Sequence, residues 1–167
     1  MKVFVSYGYA GDQVNALRLQ ALGAVNGFTV YVPPAYTRQP QYGPPIAPAG
    51  FRRPRPLDLE SEREIRDSDI VLGVIGSAFT DTCRLELDEA HKAGKPMIVM
   101  TNPGHAELFQ NLGWNVVQID PSHPERAESE IVRQLKAVKA KPTKEALLAF
   151  GTLALGLLAV AAIAPQD

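Results

Sequence analysis

Residues 69–75 read DIVLGVI, and only the first of these positions is polar. A segment this short and this evenly apolar is a strand buried on both faces. Strands of that kind belong to parallel sheets that carry helices on either side. Four further runs share the β-branched and aromatic habit: KVFVS at 2–6, FTVYV at 28–32, MIVM at 97–100 and NVVQI at 115–119. Between them the spacing predicts helices. Residues 12–25 carry Val14, Leu17, Leu19, Leu22 and Val25, mostly at three-residue steps, with Asp12 placed to cap the segment and Asn26-Gly27 to end it. Residues 59–67, 82–93, 105–111 and 124–139 follow suit, with Cys83, Leu87 and Ala90 on one stripe of the second and Ile131, Leu135 and Val138 on the last.

Strand followed by helix, repeated along the chain, predicts an α/β fold of the flavodoxin-like kind: a doubly wound parallel five-stranded sheet with helices on both faces. In such sheets ligands sit outside the carboxyl ends of the strands. Neither a G-x-G-x-x-G after the first strand nor a Walker A sequence is present, which argues against an ordinary dehydrogenase or nucleotide triphosphatase. The formal net charge is -1, so nothing points to a nucleic-acid partner. Cys83 is the single cysteine, which excludes an intrachain disulfide. His91, His105 and His123 show no metal-ligand spacing, and no metal is expected. The opening Met-Lys-Val-Phe-Val-Ser is too short an apolar run for a signal peptide.

Two segments break the pattern. Residues 35–58 hold prolines at 40, 44, 45, 48, 54 and 56, so they read as a long loop within a 1–140 domain. That loop carries Tyr36, Arg38, Arg52, Arg53 and Arg55, a basic and aromatic set suited to covering an anionic ligand. Residues 141–167 form the second unit, an apolar C-terminal helix. From 146 to 164 it reads ALLAFGTLALGLLAVAAIA, with no charge. A helix of that length matches the roughly 30 Å hydrocarbon core, which predicts a membrane anchor holding the main domain at the cytoplasmic face. A helix buried in a homo-oligomer interface would have the same composition.

The expected carboxyl edge gathers Ser6, Tyr7 and Gly8 after the first strand, Tyr36 and Arg38 after the second, and Ser77 and Phe79 after the third. Aromatic rings there stack a base or a nicotinamide, while hydroxyl and backbone N–H groups hold ribose or phosphate oxygens. Glu86 lies in the helix after Ser77, at the edge of the buried stripe, where a carboxylate points over the sheet end. Asp81 competes as an N-cap, Asp88 lies on the outer side, and Glu89 shares the sector of Glu86.

The opening VFVSYGYAGD resembles the start of a Toll/interleukin-1 receptor (TIR) domain. So does Ser77-Ala-Phe-Thr-Asp-Thr-Cys83-Arg-Leu-Glu86-Leu87-Asp-Glu-Ala90, which is similar to the family's serine, aromatic, then Cys-x-x-Glu-Leu pattern, although Thr82 stands where a tryptophan is usual. Lys95-Pro96-Met-Ile-Val resembles the next strand. The resemblance implies a signalling or defence effector that hydrolyses or cyclises NAD⁺ as substrate, without a cofactor. Glu86 would be its catalytic group, with Tyr7, Ser77 and the loop from Pro33 to Arg38 by the ligand. It also implies self-association, and for some members a purely non-catalytic assembly role. The same layout resembles nucleoside 2-deoxyribosyltransferases and nucleotide N-glycosidases, which place a glutamate nucleophile on a comparable helix. That alternative implies attack by Glu86 on C1′ of a nucleoside.

Overall fold

The computed structural model describes residues 1–8, 10–34, 57–76 and 79–140. Tyr36, Arg38, Ser77 and the 146–164 stretch lie outside the described residues. Five strands alternate with five helices: β1 (Lys2–Tyr7), α1 (Ala10–Val25), β2 (Thr29–Tyr31), α2 (Leu59–Asp67), β3 (Ile70–Ile75), α3 (Asp81–Lys92), β4 (Met97–Thr101), α4 (Pro103–Asn111), β5 (Asn115–Gln118) and α5 (Pro124–Ala140). The strands form one sheet in the order β2-β1-β3-β4-β5, and every pairing is parallel. The chain steps from β1 outward to β2, then crosses back to β3 on the other side. That reversal is the switch point of a doubly wound sheet. The fold is flavodoxin-like.

Side chains alternate across each strand, and the sheet separates two cores. Val3, Val5, Tyr7, Ile70, Leu72, Val74, Ile98 and Met100 pack with α1 and α5 through Ala16, Leu19, Ile131 and Leu135. Phe4, Val71, Ile75 and Val99 face α2, α3 and α4, and pack with Ile65, Cys83, Leu87 and Phe109. β3 is buried at every position, as its unbroken apolar run requires.

The buried stripe of α1 differs from the expected one. Asp12, Ala16, Leu19 and Gly23 face inward, while Val14 and Val25 stand 62% and 86% exposed. Small residues let the helix lie close to the sheet, so position on the helix outweighs size. Gly23 marks the closest approach, because a Cβ there would run into Cγ2 of Val30. Helix propensity alone favours Gly23→Ala by roughly 0.5–1 kcal/mol. The stiff β-branched Val30 reverses that sign. Gly23→Ala is expected to destabilise the domain by about 1–3 kcal/mol in a urea titration.

Helix ends follow local chemistry. Asp58, at the end of the stretch read as a loop, caps α2 by accepting from Ser61 N–H at 3.2 Å. Thr80, not Asp81, caps α3: its Oγ1 accepts from Cys83 N–H at 3.3 Å. Gly27 and Gly94 follow α1 and α3 with φ of 71° and 64°, the left-handed turn that glycine adopts without strain.

The expectation of a membrane anchor, and of a cytoplasmic face fixed by it, is corrected here. No helix among the described residues is long and apolar enough to cross a membrane. The longest, α5, is amphipathic, with Ile131, Leu135 and Val138 turned inward and Lys136 and Lys139 turned out.

Candidate active site

Glu86 lies on the inner face of α3 with Cys83, Leu87 and Ala90, and is 0% exposed. Its reach toward the sheet depends on what lies beneath. In the parallel register Ser6 of β1 pairs with Gly73 of β3. Gly73 puts no side chain between sheet and helix; a Cβ there would touch Leu87 Cδ1 at 3.4 Å. The helix therefore settles low over the β1–β3 seam, and Ser6 Oγ–H donates to Glu86 Oε2 at 2.7 Å. Both groups are buried, so the bond is shielded from competing water.

Ser6 Oγ also lies 3.2 Å from Cys83 Sγ. A serine has one hydroxyl proton and two acceptor lone pairs. That proton goes to the carboxylate, the stronger acceptor, so the thiol contact is the weaker of the two. The trio sits at the carboxyl end of β1, beside the reversal point of the sheet. Ser6→Ala removes a donor from a buried carboxyl group. A loss of about 1–3 kcal/mol of unfolding free energy is expected, measurable by chemical denaturation.

The rival carboxylates have other duties. Glu89 Oε1 accepts from Arg66 Nη2 at 3.0 Å, tying α3 to α2. Asp88 is exposed. Asp81 is 93% exposed at its side chain and lies 3.5 Å from Arg84 Nη2.

The other expected site residues divide. Gly8 follows β1 directly and is buried. Tyr7 neighbours Ser6 in sequence, but alternation turns its ring to the α1–α5 side, away from Glu86. Its hydroxyl donates to Pro33 O at 2.8 Å, binding the end of β1 to the end of β2. Phe79 is half-buried, edge-on to Phe109 with ring centroids 5.2 Å apart. Ser6 and Glu86 are thus brought together, and Tyr7 is not brought to them.

Asp12 was expected to cap α1. It lies instead inside the first turn, 2% exposed, and its Oδ1 accepts from Gly76 N–H at 3.0 Å. No local pattern announces a bond between residues so far apart in sequence.

No protein-family model and no curated protein sequence matches the chain. Among solved structures it is similar to a CMP N-glycosidase, BcmB, from Clostridium botulinum. Identity is 17%, the match covers 81% of this chain and 98% of that one, and the TM-score is 0.47. It is also similar to Smu.1420 from Streptococcus mutans UA159, at 12% identity, 80% and 97% coverage and a TM-score of 0.46. Likeness at this level concerns the path of the chain and leaves the chemistry to the residues themselves. The TIR resemblance rests on its motif residues alone.

Proposed function

We propose that this protein cleaves the N-glycosidic bond of a nucleoside or nucleotide, with the Glu86 carboxylate acting at the anomeric carbon. One observation carries the reading: a glutamate wholly withheld from water, oriented by Ser6, at the switch point where ligands of such sheets bind. Burying a carboxyl group costs several kcal/mol unless it is well compensated. An aliphatic side chain would pack α3 onto β1 without that cost.

The chemistry follows from the carboxylate. As the C1′–N bond breaks, its electron pair leaves with the base and positive charge grows on the sugar. Ser6 donates to Oε2 and so orients the carboxylate. Bond formation between the carboxylate and C1′ gives a glycosyl ester. Water then cleaves the ester, frees the sugar and restores the carboxylate, and its proton balances the departing base. Because Glu86 is 0% exposed, catalysis requires the surroundings of its carboxyl group to open to the sugar.

The narrower NAD⁺ reading uses the same group with nicotinamide as leaving group. It loses one of its implied ligand contacts, because the Tyr7 ring lies across the sheet from Glu86 and its hydroxyl is engaged by Pro33. NAD⁺ therefore enters as a comparison substrate. The test incubates the full chain, dilute and concentrated, with purine and pyrimidine nucleosides, their 5′-monophosphates and NAD⁺, and follows free base by chromatography. Base release from a nucleoside or monophosphate is the expected result. Release from NAD⁺ alone restores the narrower reading. Silence toward every substrate at both concentrations leaves a non-catalytic assembly role.

A further inference from the structure

We infer that Asp12 is a positioning residue for Glu86, acting through the backbone of Gly76. The catalytic meaning of that role rests on the reaction proposed for Glu86. Asp12 belongs to α1, which packs on the opposite face of the sheet from α3. From there its Oδ1 reaches the N–H of Gly76, the residue at which the chain leaves β3 on its way to α3.

The same residue is gripped a second time, at its carbonyl. Asn102 Nδ2 donates to Gly76 O. Asn102 is the N-cap residue of α4, a position where an asparagine side chain ordinarily accepts from the first turn of its own helix. Here it makes no cap bond and holds Gly76 instead. Next to it, Thr101 Oγ1 donates to Ile75 O at 2.7 Å. The exit from β3 is thus fixed at its N–H from one helical layer and at its C=O from the other. Only glycine permits the grip, since a Cβ at Gly76 would lie 2.5 Å from Asp12 Oδ1.

What hangs from this point is α3. The chain passes from Gly76 to the Thr80 cap and then along a rigid helix to Cys83 and Glu86. On this inference, loss of the grip at Gly76 shifts the start of α3, and with it the carboxylate over Ser6. Misplacing a reacting group by about 1 Å costs on the order of 10²-fold in rate. A clamp on the root of α3 therefore sets where Glu86 meets a sugar.

Cys83 gives a readout that needs no substrate. It is the single cysteine of the chain, fully buried in the first turn of α3. Labelling of the native full chain with a chromogenic aromatic disulfide reports how often that turn opens. Asp12→Ala is expected to speed labelling about tenfold, while Asp12→Asn, which keeps an acceptor for Gly76 N–H, stays within about twofold of the unaltered chain. Asn102→Ala, which releases the other grip without removing a helix cap, moves labelling in the same direction. Leu135→Ala, in the far layer, supplies the labelling expected from global destabilisation alone.

In the base-release assay Asp12→Ala is expected to lower kcat about tenfold with little change in KM, and Asp12→Asn to recover it. Labelling of Asp12→Ala no faster than the Leu135→Ala control of matched stability overturns the inference. So does an Asp12→Asn chain as labile as Asp12→Ala. If the unaltered chain releases no base, the reaction at Glu86 falls, and the labelling comparison still decides whether Asp12 holds α3.

Discussion

Glu86→Gln keeps the fold and loses base release by about 10²–10³-fold, the scale of removing one preorganised electrostatic contact from a reacting centre. Glutamine has the same shape and keeps an amide oxygen to accept from Ser6 Oγ–H, so α3 stays over β1. It offers no negative charge to a growing sugar cation and no anionic oxygen to attack C1′. Unchanged helical circular dichroism, a melting temperature near that of the unaltered chain and a collapsed kcat form the expected set. Undiminished turnover would end the assignment. A variant that unfolds instead would mark Glu86 as a packing element, and its buried bond to Ser6 as structural.

Phe109→Ala is the largest expected effect on stability, a loss of about 3–5 kcal/mol. Phe109 is 0% exposed and joins α4 to its surroundings. Its ring meets Phe79 edge-on at 5.2 Å and stacks on Trp114 at 5.8 Å between centroids. Truncation removes transfer energy, leaves a cavity and breaks two aromatic pairs. Domains of this size are stable by only about 5–15 kcal/mol, so the loss is a large share. A fall in Tm on the order of 10 °C is expected by scanning calorimetry. Phe79 immediately precedes the Thr80 cap, so base release should fall along with stability. Phe109→Leu fills most of the space and should lose less than half as much. A Phe109→Ala chain as stable as the parent would mean that the aromatic cluster contributes little to holding α4.

Much of this architecture is legible in the sequence, for identifiable reasons. A strand buried on both faces is mostly apolar, so Ile70–Ile75 and residues 97–100 stand out as apolar runs. Glu86 stands out in the sequence because a carboxylate at the edge of an apolar stripe is uncommon, and it is buried on that stripe. The face each strand residue takes was harder to read. Ser6 and Tyr7 are neighbours in sequence and lie on opposite sides of the sheet, a distinction that depends on register with β3. In α1 the large apolar residues suggested the wrong stripe, because Ala16 and Gly23 pack inward by being small. Asp81 resembled a cap, yet Thr80 stands where the backbone turns. The bond from Asp12 to Gly76 spans two layers of the fold and leaves no periodic trace.

The place of β1 between β2 and β3 has a consequence for the order in which the molecule assembles. Val3 pairs with Val30 on one side and with Ile70 on the other. During synthesis β1 therefore waits with one edge open until β3 has emerged, long after β2 has been made. Pairings this distant in sequence close slowly, because loop entropy is lost before contacts form. The nascent chain consequently exposes an apolar strand edge while the residues between β1 and β3 are being made, and that interval favours aggregation.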